Sequence, residues 1–414
     1  MSKTIIIIGA GLAGLSAALQ AAENGCNVKL VSSLPSERAQ SVMAEGGINA
    51  ALNTKDENDS PEEHFTDTIK AACGLADPNA VWGMTQAAPE LVHWLLKLGV
   101  KFNMSGYDDV DLRNFGGQKK KRTAFAQSDT GKQIMTAMID AVRRKEASGM
   151  VERFSHHSFL TLRLCGNICC GCVIRDEYSQ ETVELPGDAV IVATGGMHGL
   201  FGNTTGSLSN TGEVTAELFR LGVPLANSEM IQYHPTTVKC GGKRMLISEA
   251  ARGEGGRLFA MKDGKQWYFM EEKYPELGNL MPRDITAREI WKVSHESEVF
   301  LDMTEISEEI ISNKLSGLAD DCMTYLHKDI RKEPVSVLPG IHYFMGGILV
   351  DEQHRTPIQN LYAAGECCAQ YHGANRLGGN SLLGALYGGR VAAKSACEQA
   401  DVVDLSCATQ IDFP

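Results

Sequence analysis

The segment Ile5-Ile6-Ile7-Ile8-Gly9-Ala10-Gly11-Leu12-Ala13-Gly14 constrains this chain most. An unbroken apolar run followed by glycines at this spacing reads as a buried parallel strand, a tight turn and a helix. Gly9 permits the turn, Gly11 lets the backbone approach a pyrophosphate, and Gly14 lets the helix pack on the strand. The helix N-terminus then offers free N–H groups and a positive dipole end to that phosphate. A glycine turn with no nucleotide could carry the same three residues. The nucleotide reading gains from Asn27-Val28-Lys29-Leu30-Val31, which supplies the second strand of a strand–helix–strand unit. An acidic residue normally binds the ribose at the end of that second strand. Here the chain has Ser32-Ser33-Leu34-Pro35-Ser36, whose hydroxyls can reach a ribose without selecting NAD or NADP. A second glycine motif, Leu361-Tyr362-Ala363-Ala364-Gly365-Glu366, lies near the other end and offers a carboxylate. A cofactor gripped by both chain ends is long, which suits FAD better than NAD.

The 414 residues are 43% hydrophobic and 22% charged, ordinary for a soluble globular protein and enough for two domains. Forty-two glycines fit many backbone–cofactor contacts. The net charge of −12 argues against nucleic acid as a partner. No apolar run is long enough to span a bilayer. The N-terminal isoleucines resemble a short signal-peptide core, but the phosphate-loop glycines lie inside it and no cleavage site follows, so a cytoplasmic location is expected. Of the twelve cysteines, Cys165, Cys169, Cys170 and Cys172 cluster around an apparent hairpin. The cluster lacks the repeated Cys-x-x-Cys pair of a metal site, and strand alternation would point neighbouring thiols to opposite faces. Reduced thiols and no metal are expected there, and Cys367-Cys368 is ambiguous in the same way.

The expected fold class is α/β, a Rossmann-like FAD-binding domain with an inserted α+β capping domain. Residues 1–225 form the first part of the FAD-binding domain, 226–340 the capping domain and 341–414 the return segment. Ser60-Pro61-Glu62-Glu63 starts a helix. Helical periodicity resumes over 81–98, and residues 157–185 read as a meander of short strands. Ala189-Val190-Ile191-Val192 is another buried strand, expected to rejoin the main sheet, and Thr211-Gly212-Glu213 opens a further helix. The pattern breaks into mixed polar segments from 226 to 340.

Seven segments then occur in order. They are residues 9–14, Ala44-Glu45-Gly46-Gly47-Ile48-Asn49-Ala50-Ala51, Gln232-Tyr233-His234-Pro235-Thr236, and Ser248-Glu249-Ala250-Ala251-Arg252-Gly253-Glu254-Gly255-Gly256, followed by Pro282-Arg283-Asp284, His342-Tyr343-Phe344-Met345-Gly346-Gly347 and His372-Gly373-Ala374-Asn375-Arg376-Leu377-Gly378. Together they resemble the flavoprotein subunits of fumarate reductase and succinate dehydrogenase, together with L-aspartate oxidase, over nearly the whole chain. A dicarboxylate needs cationic and hydrogen-bonding clamps at both ends. Arg376 can fork onto one carboxylate, and His342 and His234 can donate to carboxylate oxygens. Ser248 replaces the threonine usual in the family and keeps the hydroxyl. The resemblance implies Arg283 as the proton donor, with Glu249 and Arg252 as its relay, because arginine is a poor acid in bulk water. A buried ion-pair network without catalysis is the plainer alternative. Phe115-Gly116-Gly117-Gln118 looks more like the fumarate reductase and succinate dehydrogenase branch, with Phe115 packing on the substrate's face. Residues 119–122 form a basic run, read mainly as a solvated face. Cofactor contacts implied by the resemblance fall on Gly9, Gly11, Leu12, Ala13, Gly14, Ser32, Ser41, Ala44, Gly46, Gly47, Ala193, Thr194, Gly195, Asn203, Thr204, Glu213, Glu366, Arg376, Asn380, Ser381 and Leu382.

Three departures from the family matter. Many respiratory members carry a flavin-linked histidine six residues before the first glycine of the Gly-Gly pair. Gln40 stands there, so FAD is expected to be non-covalent, which favours reduction of fumarate over oxidation of succinate. The family's C-terminal helical domain is expected to be absent after Gln399. There is no haem attachment motif and no iron–sulfur spacing, so electrons are expected from an iron–sulfur or other redox subunit, or from a soluble donor. The expected reaction is reduction of the C=C bond of a small dicarboxylate, most simply fumarate to succinate. L-aspartate oxidase, a reductase of another 2-enoate, and a non-catalytic flavin carrier or assembly subunit are the alternatives.

Overall fold

The computed structural model describes residues 2–400. The isoleucine run is the Thr4–Ile8 strand at the centre of a five-stranded parallel sheet. Asn27–Ser32 and then Val151–Ser155 lie on one side of it. Ala189–Val192 and Leu361–Ala363 lie on the other. Residues 5–8 are at most 3% exposed, and successive side chains serve opposite faces. Ile5 and Ile7 pack into a core with the Leu12–Glu23 and Asn380–Gln399 helices. Ile6 and Ile8 pack against a separate three-stranded antiparallel layer, His157–Cys165, Ile168–Asp176 and Thr182–Pro186. A strand covered on both faces explains why the run does not alternate with polar residues.

Local signals behave as read. Ser60 caps Pro61–Ala71 by accepting from Glu63 N at 3.3 Å, and Pro78–Lys97 follows. The meander over 157–185 and the strand at Ala189–Val192 are both present. The cysteines depart from simple alternation. Pairing slips between Arg163 and Leu164, and Cys170 is left outside the ladder. This bulge turns Cys169 and Cys172 into the same apolar core. Burial pushes the Cys169 thiol up to about 12, so it is a poor nucleophile and a poor ligand.

A further apolar core is built by Phe115 and residues from Ile247 to Val337. Two antiparallel sheets belong to this part of the chain. One has the order Lys265–Trp267, Arg257–Lys262, Val299–Asp302, Val335–Ser336. The other places Ile231–Cys240 between Lys243–Leu246 and Leu338–Phe344. Its central strand carries a proline, which a regular ladder would reject. The register accommodates it by shifting between His234 and Thr237, and a second shift falls between Gln232 and Tyr233. Bulges of this kind re-aim side chains. The second one leaves His342 out of the pairing, so that His342 and its neighbour Tyr343 both reach the cavity described next.

Among the described residues no helix is long and apolar enough to cross a membrane.

Candidate active site

The parallel strands end together, and a cavity of about 590 Å³ opens at that edge. It runs from residues 9–13 past Ser32, Ala193, Thr194 and Gly195 to Ser248, Arg283, His342 and Arg376. Gly9 has φ +110°, and a Cβ on it would stand 2.3 Å from Ala193 O. A Cβ on Gly14 would stand 1.8 Å from Gly9 O, so Gly14 serves helix–strand contact and does not line the cavity. Gly11 differs: its nearest neighbour is Ser41 Oγ at 3.6 Å, and it opens on the cavity. It also begins the Leu12–Glu23 helix with no side chain of its own; Leu12 N donates to Ser41 Oγ at 3.3 Å, and the next first-turn N–H groups are left for an anion. Ser32 Oγ is buried without a hydrogen-bond partner at the end of the second strand, where a ribose hydroxyl would complete it. Leu12, Ala13, Gln40, Ser41, Ala44, Gly46, Gly47, Glu213, Glu366, Ser381 and Leu382 share the lining. A long groove of backbone, hydroxyl and glycine surface with a helix N-terminus fits a dinucleotide.

Besides Gly14, three expected cofactor residues lie outside the lining. Asn203 is exposed outside the lining, and its carbonyl accepts from Ile341 N at 2.8 Å. Thr204 is buried behind the wall, its hydroxyl 2.8 Å from His198 Nδ1. Thr205, Ser207 and Asn210 line the cavity instead. Asn380 turns inward: its Oδ1 meets Asn49 Nδ2 at 2.7 Å and His64 Nε2 at 2.9 Å, and its Nδ2 donates to Thr68. Glu366 reaches the cavity partly committed, because Oε1 accepts from Phe344 N at 3.0 Å and meets His198 Nε2 at 3.1 Å. His198 was not anticipated from the sequence.

At the far end three arginines converge. Arg283 sits at the start of the Arg283–Val293 helix. Its Nε donates to Glu249 Oε2 at 2.8 Å, its second amino nitrogen lies 2.7 Å from the same oxygen, and NH1 donates to Gln232 Oε1 at 3.0 Å. Arg252, one turn after Glu249, approaches Glu249 Oε1 at 3.4 Å and donates to Asn279 O at 2.6 Å. It lies behind Glu249, outside the lining. Gly116 N completes the carboxylate's shell at 3.0 Å. Burial raises the Glu249 pKa, but Arg283 and Arg252 outweigh it and hold the carboxyl below its usual range. Ser248 caps the Glu249–Gly253 turn through Ala250 N at 3.4 Å and lines the cavity. Phe115, 1% exposed, lines it too.

Burial, then Arg283, pushes both His234 and His342 well below the usual histidine value, so each is neutral at pH 7. Their rings lie 5.1 Å apart. His234 Nδ1 is occupied by Thr236 and His342 Nδ1 by Thr205 at 2.7 Å, while His234 Nε2 has no partner. Among the described residues the Arg376 side chain has one hydrogen bond, to Leu377 O at 3.3 Å, and a buried Nε without a partner. Burial, then Arg283, lowers its pKa to about 9, which leaves it cationic at pH 7. Among the described residues, Glu249 is the one carboxylate in salt-bridge contact with any of these three arginines. The end of the cavity is therefore short of negative charge, as a dianion site must be. Gln232 was missed as a site residue. It ties Arg283 to the 372–378 loop by donating to Asn375 Oδ1 at 2.9 Å and Arg376 O at 2.7 Å.

Residues 4–382 match the FAD binding domain family. The succinate dehydrogenase flavoprotein subunit of Bacillus subtilis is 43% identical over 98% of this chain and 70% of its own length. The chain belongs to this flavoprotein family. L-aspartate oxidase of Streptomyces coelicolor is 34% identical, covering 96% of this chain and 69% of that protein. A mutant FrdA chain of E. coli quinol fumarate reductase superposes with a TM-score of 0.90 at 30% identity, over 98% of this chain and 72% of that one. The protein is thus an FAD-dependent flavoprotein of mixed α/β fold.

One charged group of this flavoprotein differs from its expected setting, and a second has an unusual one. Arg122 leaves the solvated run of residues 119–122: it is fully buried, 2.8 Å from Asp59 and 3.0 Å from Asp67. Glu45, between Ala44 and Gly46 on the cavity wall, is partly buried, with Oε2 out of solvent and unpartnered. Burial, then Asp321 and Asp129, raises its carboxyl to about 8 against the pull of Arg113. A raised carboxyl pKa stabilises the fold below the unfolded value and loses that stability as pH climbs towards the folded one. The Glu45 contribution should therefore fall between about pH 4.5 and 8, opposite in sign to that of the buried neutral His234 and His342, so the melting temperature of Glu45→Gln relative to wild type should climb across that range. A difference between the two proteins that does not change with pH would remove Glu45 as the source of that trend.

Proposed function

We propose that this flavoprotein reduces the C=C bond of a small dicarboxylate, most simply fumarate to succinate. The observation that carries the reading is the buried row Arg252–Glu249–Arg283, whose last member faces the cavity together with Arg376. Bound FAD supplies the hydride to one alkene carbon. The remaining work falls to the chain. Arg376 takes one substrate carboxylate in a forked pair, and His234 and His342 each offer an Nε2 towards carboxylate oxygens. For that they must carry the proton on Nε2; the Thr205 hydroxyl favours this on His342 by donating to Nδ1, and Thr236 N does so on His234 in competition with Thr236 O, 3.0 Å from the same nitrogen. Ser248 adds a hydroxyl, and Phe115 an apolar wall. Arg283 delivers a proton to the second alkene carbon. Glu249 accepts hydrogen bonds from Arg283 and passes back to it a proton taken from Arg252, the outer member of the relay, which water recharges in turn. The aspartate oxidase reading needs a carboxylate free to meet an ammonium group, and Glu249 is committed to two arginines.

A capping role for residues 226–340 is supported by the separate apolar core and by His234, Ser248, Glu249 and Arg283, which all come from this segment. The electron partner is a redox protein or a soluble donor, in keeping with relatives named as subunits. Composition favours a cytoplasmic setting. Gln40 lines the cavity where the linking histidine of other members stands, and an amide cannot form that bond. Acid precipitation should leave the yellow flavin in the supernatant. Flavin retained in the denatured pellet would refute non-covalent binding.

A further inference from the structure

We infer that Tyr343 is a positioning residue that aims Arg376 without neutralising it. The inference rests on the dicarboxylate reading of the site. Arg283 and Arg376 are both buried cationic side chains on the cavity, yet they are held in opposite ways. Arg283 has a carboxylate and a glutamine on its guanidinium. Arg376 has no carboxylate within salt-bridge distance among the described residues, and a single hydrogen bond to Leu377 O. What lies against its guanidinium is the ring of Tyr343, with the central carbon 4.3 Å from the ring centroid. A guanidinium over an aromatic face is attracted by the ring quadrupole, and the attraction grows with desolvation. Stacking uses the face of the guanidinium and leaves its N–H edge for a carboxylate.

The ring is itself fixed. Tyr343 lies on the Leu338–Phe344 strand opposite Gln232, beside the register shift that re-aims this segment, and is 8% exposed. His372 meets it edge-on at 5.3 Å and 79°. Gln232 meanwhile holds the backbone of Arg376 through its carbonyl at 2.7 Å. One strand pair therefore sets both the root and the head of the substrate-facing arginine. A carboxylate in place of the ring would hold Arg376 as firmly but would compete with the substrate for its N–H groups.

Dissociation constants for succinate and fumarate can be read on the oxidised holoprotein by perturbation of the flavin spectrum, alongside KM and kcat. Tyr343→Phe keeps the ring face and should stay within about threefold of wild type in binding. Tyr343→Leu should weaken binding about tenfold or more and raise KM, with kcat changed far less. In an Arg376→Gln background Tyr343→Leu should add almost nothing, since a positioning effect needs the group it positions. Additive losses in the double variant, an unchanged Tyr343→Leu, or a Tyr343→Phe as damaged as Tyr343→Leu would each overturn the inference. A wild type that binds dicarboxylates but does not reduce fumarate would sink the proposed reaction and leave the Tyr343 comparison standing. A wild type that binds none would sink both.

Discussion

Arg283→Gln should leave FAD bound and chemically reducible while reoxidation of that flavin by fumarate slows by about 10²–10⁴-fold, the usual worth of a positioned general acid. Loss of the cation beside a developing carbanion adds to the defect. The geometry sets a control. Arg283 contributes the shorter of the two arginine contacts to Glu249, 2.7 Å against 3.4 Å for Arg252. Its removal leaves a buried carboxylate held mainly from behind, so some loss of thermal stability is expected with the loss of rate. Arg283→Lys keeps a charge near Glu249 and should lose rate with less loss of stability. Glu249→Gln interrupts the relay one step back and should show a similar, milder rate defect. Equal reoxidation rates in wild type and Arg283→Gln would end the proton-donor assignment.

Arg376→Ala should produce the largest change in binding. Truncating one partner of a desolvated charge pair costs about 2–5 kcal/mol, or roughly 30- to several-thousand-fold in the dicarboxylate dissociation constant. Little structural damage should accompany it, because among the described residues the Arg376 side chain makes one hydrogen bond and no salt bridge, its remaining contact being the Tyr343 ring. The folded protein also sheds a buried, nearly unpaired cation, so the variant should melt no lower than wild type in the absence of dicarboxylate. Isothermal titration with succinate, beside a melting curve of the same sample, separates the two effects. Normal succinate affinity would refute the clamp.

The sequence made the cofactor end legible where chemistry depends on backbone. Gly9 and Gly14 make the tight turn and the helix–strand contact that their spacing implies, Gly11 opens on the cavity, and the isoleucine run splits between two cores because the parallel strand is covered on both faces. It was less legible where one step along the chain decides whether a side chain looks in or out. Ser381 lines the cavity while Asn380 satisfies Asn49, His64 and Thr68 in the interior. Thr205 lines it while Thr204 backs His198. Residue type cannot distinguish such neighbours, since the choice is made by partners far away in sequence. The same holds for Arg122, whose charge is answered by Asp59 and Asp67, and for Glu45, whose proton is retained through burial and Asp321. At the far end of the cavity the motif pointed to Arg283, Glu249 and His234, all of which line it, but not to why His342 and Tyr343 both reach it. That follows from a register shift opposite Gln232 and Tyr233. The proline after His234 was a readable signal of an interrupted ladder at the neighbouring shift. Gln232 was also readable in principle, as an amide two residues from His234 and on the same side of a strand.

The central claim is that the arginine row and the Arg376 clamp together reduce an enoate dicarboxylate. The most direct test is anaerobic stopped-flow mixing of the chemically reduced holoprotein with fumarate, with succinate quantified in the quenched product. The account predicts full flavin reoxidation and one succinate per flavin, with the rate collapsing in Arg283→Gln. Flavin that is reoxidised by artificial dyes but by no enoate dicarboxylate would contradict it and make the protein an electron carrier.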